Sequence, residues 1–165
     1  MAAAPGPAED DDPSQPVQPE VLRALAAFGN PAVGQVCVPS GPRAGRTVRR
    51  LAGWVVAHHW ALGEDLADTV CLLVSELVGN AVRHTGARTI GLRMVCCPAW
   101  IGAEVRDPSR AMPCIVPTRS FHTTGRGLLL VDTLADRWGV NIEPRGKIVW
   151  FQCALPQEVI QRKGI

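Results

Sequence analysis

No stretch of the 165-residue chain approaches the roughly 20 apolar residues that a membrane-spanning helix needs. The opening residues, MAAAPGPAEDDD, lack the basic and then apolar segments of a secretory signal. The sequence therefore predicts a soluble, cytoplasmic protein that does not engage a membrane. Tyrosine is absent and aromatic residues make up only 5% of the chain. With no stacking platform and no recognition helix in view, direct nucleic-acid binding has little support. The six cysteines (Cys37, Cys71, Cys96, Cys97, Cys114 and Cys153) include no CxxC pair and no Cys/His group at zinc spacing. Free, mostly buried thiols in a reducing compartment are expected. No internal repeat is visible.

What is present is an ordinary globular balance, 47% hydrophobic and 19% charged, at a length that suits one core. The net charge of +2 hides an asymmetry. Residues 1–20 hold five acids and no Lys or Arg, so the remaining body carries 17 bases against 10 acids. A basic body suits phosphates, an acidic protein partner or nucleic acid, and equally a plain solvated surface. The acidic, Pro-rich residues 1–19 are expected to be a disordered tail, and 20–165 a single domain.

Apolar spacing predicts helices over 21–29, 46–60 and 64–84, and a third strong one from Leu128 to Arg137. In 64–84 the stripe is Leu66, Val70, Leu73, Leu77 and Ala81, with Gly86 as the stop. Alternation predicts strands near 34–39, over 89–97 and 100–107, and a closing hairpin of 138–142 and 147–155. Residues 108–124 hold three prolines, two serines and three threonines and read as a long loop, which in a compact domain is usually functional.

Three places carry chemistry. On the 64–84 helix, Asn80 lies within about 20° of Leu73 and Glu76 about 60° from it. A carboxylate and an amide thus border the apolar stripe, where neither belongs without partners. They form either a structural pair or a cleft-facing pair whose oxygens suit Mg²⁺. On the 100–107 strand, Ile101, Ala103 and Val105 alternate to one face and Asp107 continues it. Asp107 is either a turn-starting acid before Pro108 or an acceptor at the floor of a pocket, suited to an exocyclic amine. Finally, Gly125-Arg126-Gly127-Leu128 opens a helix whose backbone N–H groups and dipole could hold an anion. The stretch Gly41 to Thr47 is a poor P-loop, because a residue is missing between its glycines and Arg stands in place of Lys.

In their order, these elements resemble the GHKL (Bergerat-fold) ATPase superfamily. LLVSELVGNAVRHTG is similar to its N box, GRGLLLVDTLADRWGV to its second glycine box and GKIVWF to its last core strand. The similarity is greatest to actinobacterial anti-sigma factor serine kinases related to RsbW and SpoIIAB, over roughly Gln35 to Pro156. The resemblance implies an α/β two-layer sandwich, a mixed sheet with helices on one face. It implies ATP and Mg²⁺ as cofactors, with Glu76 as general base, Asn80 as metal ligand and Arg83 as a phosphate contact. Asp107 would accept the adenine amine. Gly125, Arg126, Gly127 and Leu128 would flank the triphosphate, and 108–124 would be the lid. Two positions depart from the pattern. Pro108-Ser109-Arg110-Ala111 follows Asp107 where the family has x-Gly-x-Gly, and Ile148 stands where it carries Thr near the base. The implied activity is phosphorylation of a Ser or Thr on a STAS-type anti-anti-sigma partner, with a sigma factor as sequestered client and a homodimer possible. The alternative is a nucleotide-binding module that sequesters a regulator without kinase activity.

Overall fold

The computed structural model describes residues 17–110 and 126–163. Five strands form one sheet: β1 (Val36–Pro39), β2 (Thr89–Cys96), β3 (Trp100–Asp107), β4 (Arg137–Glu143) and β5 (Gly146–Ala154), in the order β1-β2-β3-β5-β4. Alternation sorts their side chains cleanly. Val36, Val38, Ile90, Leu92, Met94, Ile101, Ala103, Val105, Val149, Phe151 and Cys153 are buried on one side. Arg93 and Arg106 are exposed on the other, where Arg106 binds the Glu143 carboxylate and, at 3.1 Å, the Gln35 side chain. β1 is an edge strand, which accommodates Pro39 and its missing N–H.

The helices cover the buried side: α1 (Pro19–Phe28), α2 (Ala44–Trp54), α3 (Glu64–Thr85) and α4 (Arg126–Leu134). The expected α+β two-layer sandwich is the fold. One detail differs, because every neighbouring pair in the sheet is antiparallel rather than mixed. Between β1 and β2 the chain makes two helical traverses, α2 and α3, so β2 returns antiparallel. Between β3 and β4 it makes one, α4, which leaves those strands parallel, but β5 is inserted between them.

α3 is the organising helix. Gly63 starts it at φ 91°, the acids Glu64 and Asp65 occupy its first turn, the bases Arg83 and His84 its last, and Gly86 ends it in the left-handed region at φ 58°. These charges complement the helix dipole at both ends. Its buried face is wider than the predicted stripe: Val74 and Val78 join Val70, Leu73, Leu77 and Ala81, while Leu66 is only half-buried. The predicted 46–60 helix is α-helical only to Trp54. A π-helical turn over Val55–His59 follows, in which the Trp60 N–H donates to the Val55 carbonyl at 2.8 Å. The turn lets Trp54 stack on His59, with ring centroids 5.9 Å apart. A last helix, α5 (Gln157–Lys163), was not anticipated. The predicted tail lies almost wholly outside the described residues. No helix among the described residues is long and apolar enough to cross a membrane.

The cysteines test the packing directly. Cys37 is a free, exposed cysteine, and Cys71 and Cys153 are free and buried. Burial, with smaller help from nearby Asp68 and Asp136, pushes the Cys71 and Cys153 thiols up to about 11. The thiolate is the reactive form. Under native conditions at pH 8, a maleimide should label Cys37 first and leave Cys71 and Cys153 unmodified until denaturant is added, as peptide mass mapping would show. Early labelling of Cys71 would contradict this core.

Candidate functional site

The helical spacing on α3 has a concrete result. With Val70, Leu73, Leu77 and Ala81 pinned in the core, Glu76 and Asn80 emerge half-buried on the flank that α4 packs against. There α4 presents a glycine. A Cβ at Gly127 would lie 2.6 Å from Glu76 Oε2 and 3.4 Å from Asn80 Nδ2. Only a residue without a side chain lets the helix backbone approach the carboxylate and the amide this closely. Gly127 and Leu128 lie in the first turn of α4, where backbone N–H groups have no intrahelical acceptor. The Leu128 side chain is in the core, so a ligand role at that position falls to its backbone.

Arg83, exposed on the last turn of α3, folds back over Gly79 and donates from Nη2 to Asn80 Oδ1 at 2.9 Å. A carbonyl oxygen has a second lone pair, so Asn80 keeps one acceptor site beyond Arg83. Glu76, Asn80, Arg83 and Gly127 therefore come together in the fold. Gly125 and residues 111–124 of the expected lid lie outside the described residues, as does the Arg126 side chain.

Asp107 is on the sheet, not on α3 or α4. It ends β3 on the helix-facing side and is buried at 2% exposure. Its carboxylate is already engaged. The cross-strand partner Lys147, itself 5% exposed, places Nζ 3.0 Å from Oδ2 and 3.2 Å from Oδ1. The Ser109 N–H donates to Oδ1 at 2.7 Å, closing a tight turn after the strand. Lys147 is the residue that sequence reasoning missed. Extending the alternation of Cys153, Phe151 and Val149 by one step reaches it. The same alternation corrects the place given to Ile148, which projects to the opposite face of the sheet, beside Arg106. The residue that shares Asp107's side at the start of β5 is Lys147.

A family model for a histidine kinase-like ATPase domain matches residues 38–153. The chain belongs to this family. Comparison with the curated proteins gives no match. Among solved structures, the histidine kinase domain of the blue-light activated histidine kinase of Erythrobacter litoralis EL346 is 17% identical. Its TM-score is 0.43, with 85% of this chain and 72% of that chain covered. A second structure of that kinase is 20% identical with a TM-score of 0.45, covering 88% of this chain and 48% of the other.

For a histidine kinase-like ATPase domain the pair on α3 fits the expected ligands. One amide oxygen with a free lone pair beside a carboxylate is a donor set that suits Mg²⁺, which binds through few protein groups and keeps waters and phosphate oxygens. At Gly127 itself no side chain stands between the first turn of α4 and the pair on α3. Two substitutions test this geometry. Gly127→Ala drives a methyl group into the end of a flexible side chain, so the fold should survive with melting changed by less than about 1 kcal/mol. Turnover of ATP should fall about 100-fold, since a displacement near 1 Å can cost that much. Asp107→Ala should have the reverse balance, destabilising the fold by about 3–5 kcal/mol in denaturant titrations because it strands a buried ammonium.

Proposed function

We propose that this ATPase domain is a protein serine/threonine kinase of the anti-sigma factor type. It transfers the γ-phosphoryl group of ATP to a Ser or Thr hydroxyl of a small STAS-type partner and, unphosphorylated partner permitting, sequesters a sigma factor in the cytoplasm. The observation that supports this reading is the close approach of Gly127 to Glu76 and Asn80: a carboxylate, an amide and the first turn of a helix share one place.

Each residue then has a task. The Glu76 carboxylate takes the proton from the attacking hydroxyl, whose oxygen displaces ADP from the γ-phosphorus. Backbone N–H groups in the first turn of α4 stabilise charge on the phosphoryl oxygens. Arg83, held across Gly79, brings a cation beside Asn80 and orients its amide. Mg²⁺, held by Asn80, supplies charge neutralisation on the phosphates when bound. Catalysis is positioning and electrostatics, with no covalent enzyme intermediate.

Incubation with γ-labelled ATP, Mg²⁺ and a cognate STAS protein should label the partner on Ser or Thr. Glu76→Gln should bind ATP within about threefold of the wild type yet slow transfer by about 100-fold, the usual scale of a general base. Asn80→Ala should abolish Mg²⁺-dependent ATP binding in calorimetry. ATP binding with no labelled partner would replace the kinase with a sequestering module. Transfer at the wild-type rate by Glu76→Gln would remove Glu76 from the chemistry.

A further inference from the structure

The Asp107 carboxylate is the group expected to read the amine of a nucleobase, yet its hydrogen-bonding capacity is largely spent inside the protein. A carboxylate offers about four acceptor positions. The Ser109 N–H takes one on Oδ1, and the Lys147 ammonium bridges both oxygens. The ammonium is equally committed, because its third donor reaches the Ser109 carbonyl at 3.0 Å. Three donors therefore meet three acceptors, in a pair whose side chains are 6% and 3% exposed.

The backbone holds this pair in place. Gly146 immediately precedes Lys147 at φ 139°, and a Cβ there would stand 2.1 Å from the Asp107 carbonyl oxygen and 2.7 Å from Pro108 Cα. β3 and β5 are thus pressed together at this point, and Lys147 stays opposite Asp107 in register. A neutral base amine is a weaker donor than an ammonium. To take the ammonium's place it would leave a buried positive charge without its counter-charge.

We propose that Lys147 sets how this site reads a base. Its ammonium and the Ser109 N–H take three of the four acceptor positions of a carboxylate whose side chain is only 3% exposed, so the amine adds little to affinity and nucleotide binding is dominated by the triphosphate end at Asn80 and Gly127. This rests on the reading of the site as a nucleotide pocket. Lys147 is here a specificity-determining residue, and the pocket takes purine nucleoside triphosphates with or without the 6-amino group.

The test is calorimetric titration of the full chain with Mg²⁺ and two ligands, ATP and purine riboside triphosphate, which lacks only the amine. The wild type should bind both within about threefold, less than the roughly tenfold that one good neutral hydrogen bond supplies. Lys147→Thr removes the cation but leaves a hydroxyl that can satisfy Asp107. It should bind ATP about tenfold more tightly than the wild type while binding of purine riboside triphosphate changes less than threefold, a difference of about 1.4 kcal/mol. A melting curve establishes that the variant is folded; should it not fold, the wild-type comparison decides alone. A wild-type preference for ATP of tenfold or more, or a folded Lys147→Thr with no selective gain, overturns the proposal while leaving nucleotide binding intact. Binding of neither triphosphate overturns the nucleotide pocket itself.

Discussion

The site depends on one packing constraint, the docking of α3 onto the helix-facing side of the sheet. Val70, Leu73, Val74, Leu77 and Val78 are at most 2% exposed, against Leu92, Ile101, Val105 and Phe151, which are equally enclosed. Each such side chain contributes about 1.5–3 kcal/mol by leaving water. That sum fixes the rotation of α3 about its axis. The rotation in turn decides where two polar residues, four apart, come out. Turning the helix by one residue's angle would carry Asn80 into the sheet or into solvent, and either move would cost more than the amide's own hydrogen bonds contribute.

Around that fixed helix, glycines mark the places where backbone has to come close. Gly127 brings the start of α4 against the Glu76 carboxylate, and Gly146 brings the β4–β5 hairpin against the end of β3. Both are buried. In one case the neighbour is a flexible side-chain end, in the other rigid backbone. The two contacts therefore differ in kind: the first shapes a site, the second locks a register. The presence of a glycine in the sequence does not distinguish them; the identity of the neighbouring atom does.

Much of this was legible in the residues. Period-two runs placed all five strands to within two residues, and the 3.6-residue period of Leu66 to Ala81 located α3 and put Glu76 and Asn80 on its flank. The π-helical turn at Val55–His59 was not legible, since its apolar spacing continues that of α2 and only the i to i+5 bonding reveals it. The antiparallel sheet was not legible either, because insertion of β5 between β3 and β4 is a choice of neighbours that strand patterns do not encode. Lys147 was hidden by a prior: a lysine in a strand is ordinarily taken as facing water. Alternation placed it inward, opposite an aspartate that needed a counter-charge. Reading the inward acid and the inward base together, across forty residues of chain, requires the register that only the fold supplies.

The two ends of the site are thus built on opposite electrostatic principles. At the α3–α4 end, Glu76 and Asn80 are half-buried beside the first turn of α4, where Gly127 carries no side chain, so part of their hydrogen-bonding capacity is left for a ligand. At the β3–β5 end, a full charge pair is enclosed and satisfied by its own neighbours. Enclosed pairs cost much in desolvation and are strongly destabilising to break, whereas half-exposed groups exchange water for ligand cheaply. A ligand that neutralises and fills the first end gains without disturbing the core, while one that competes at the second must dismantle an internal ion pair first. Affinity in such a site accrues where the protein has left its groups unsatisfied, and the proposed function puts the phosphates of a nucleotide there.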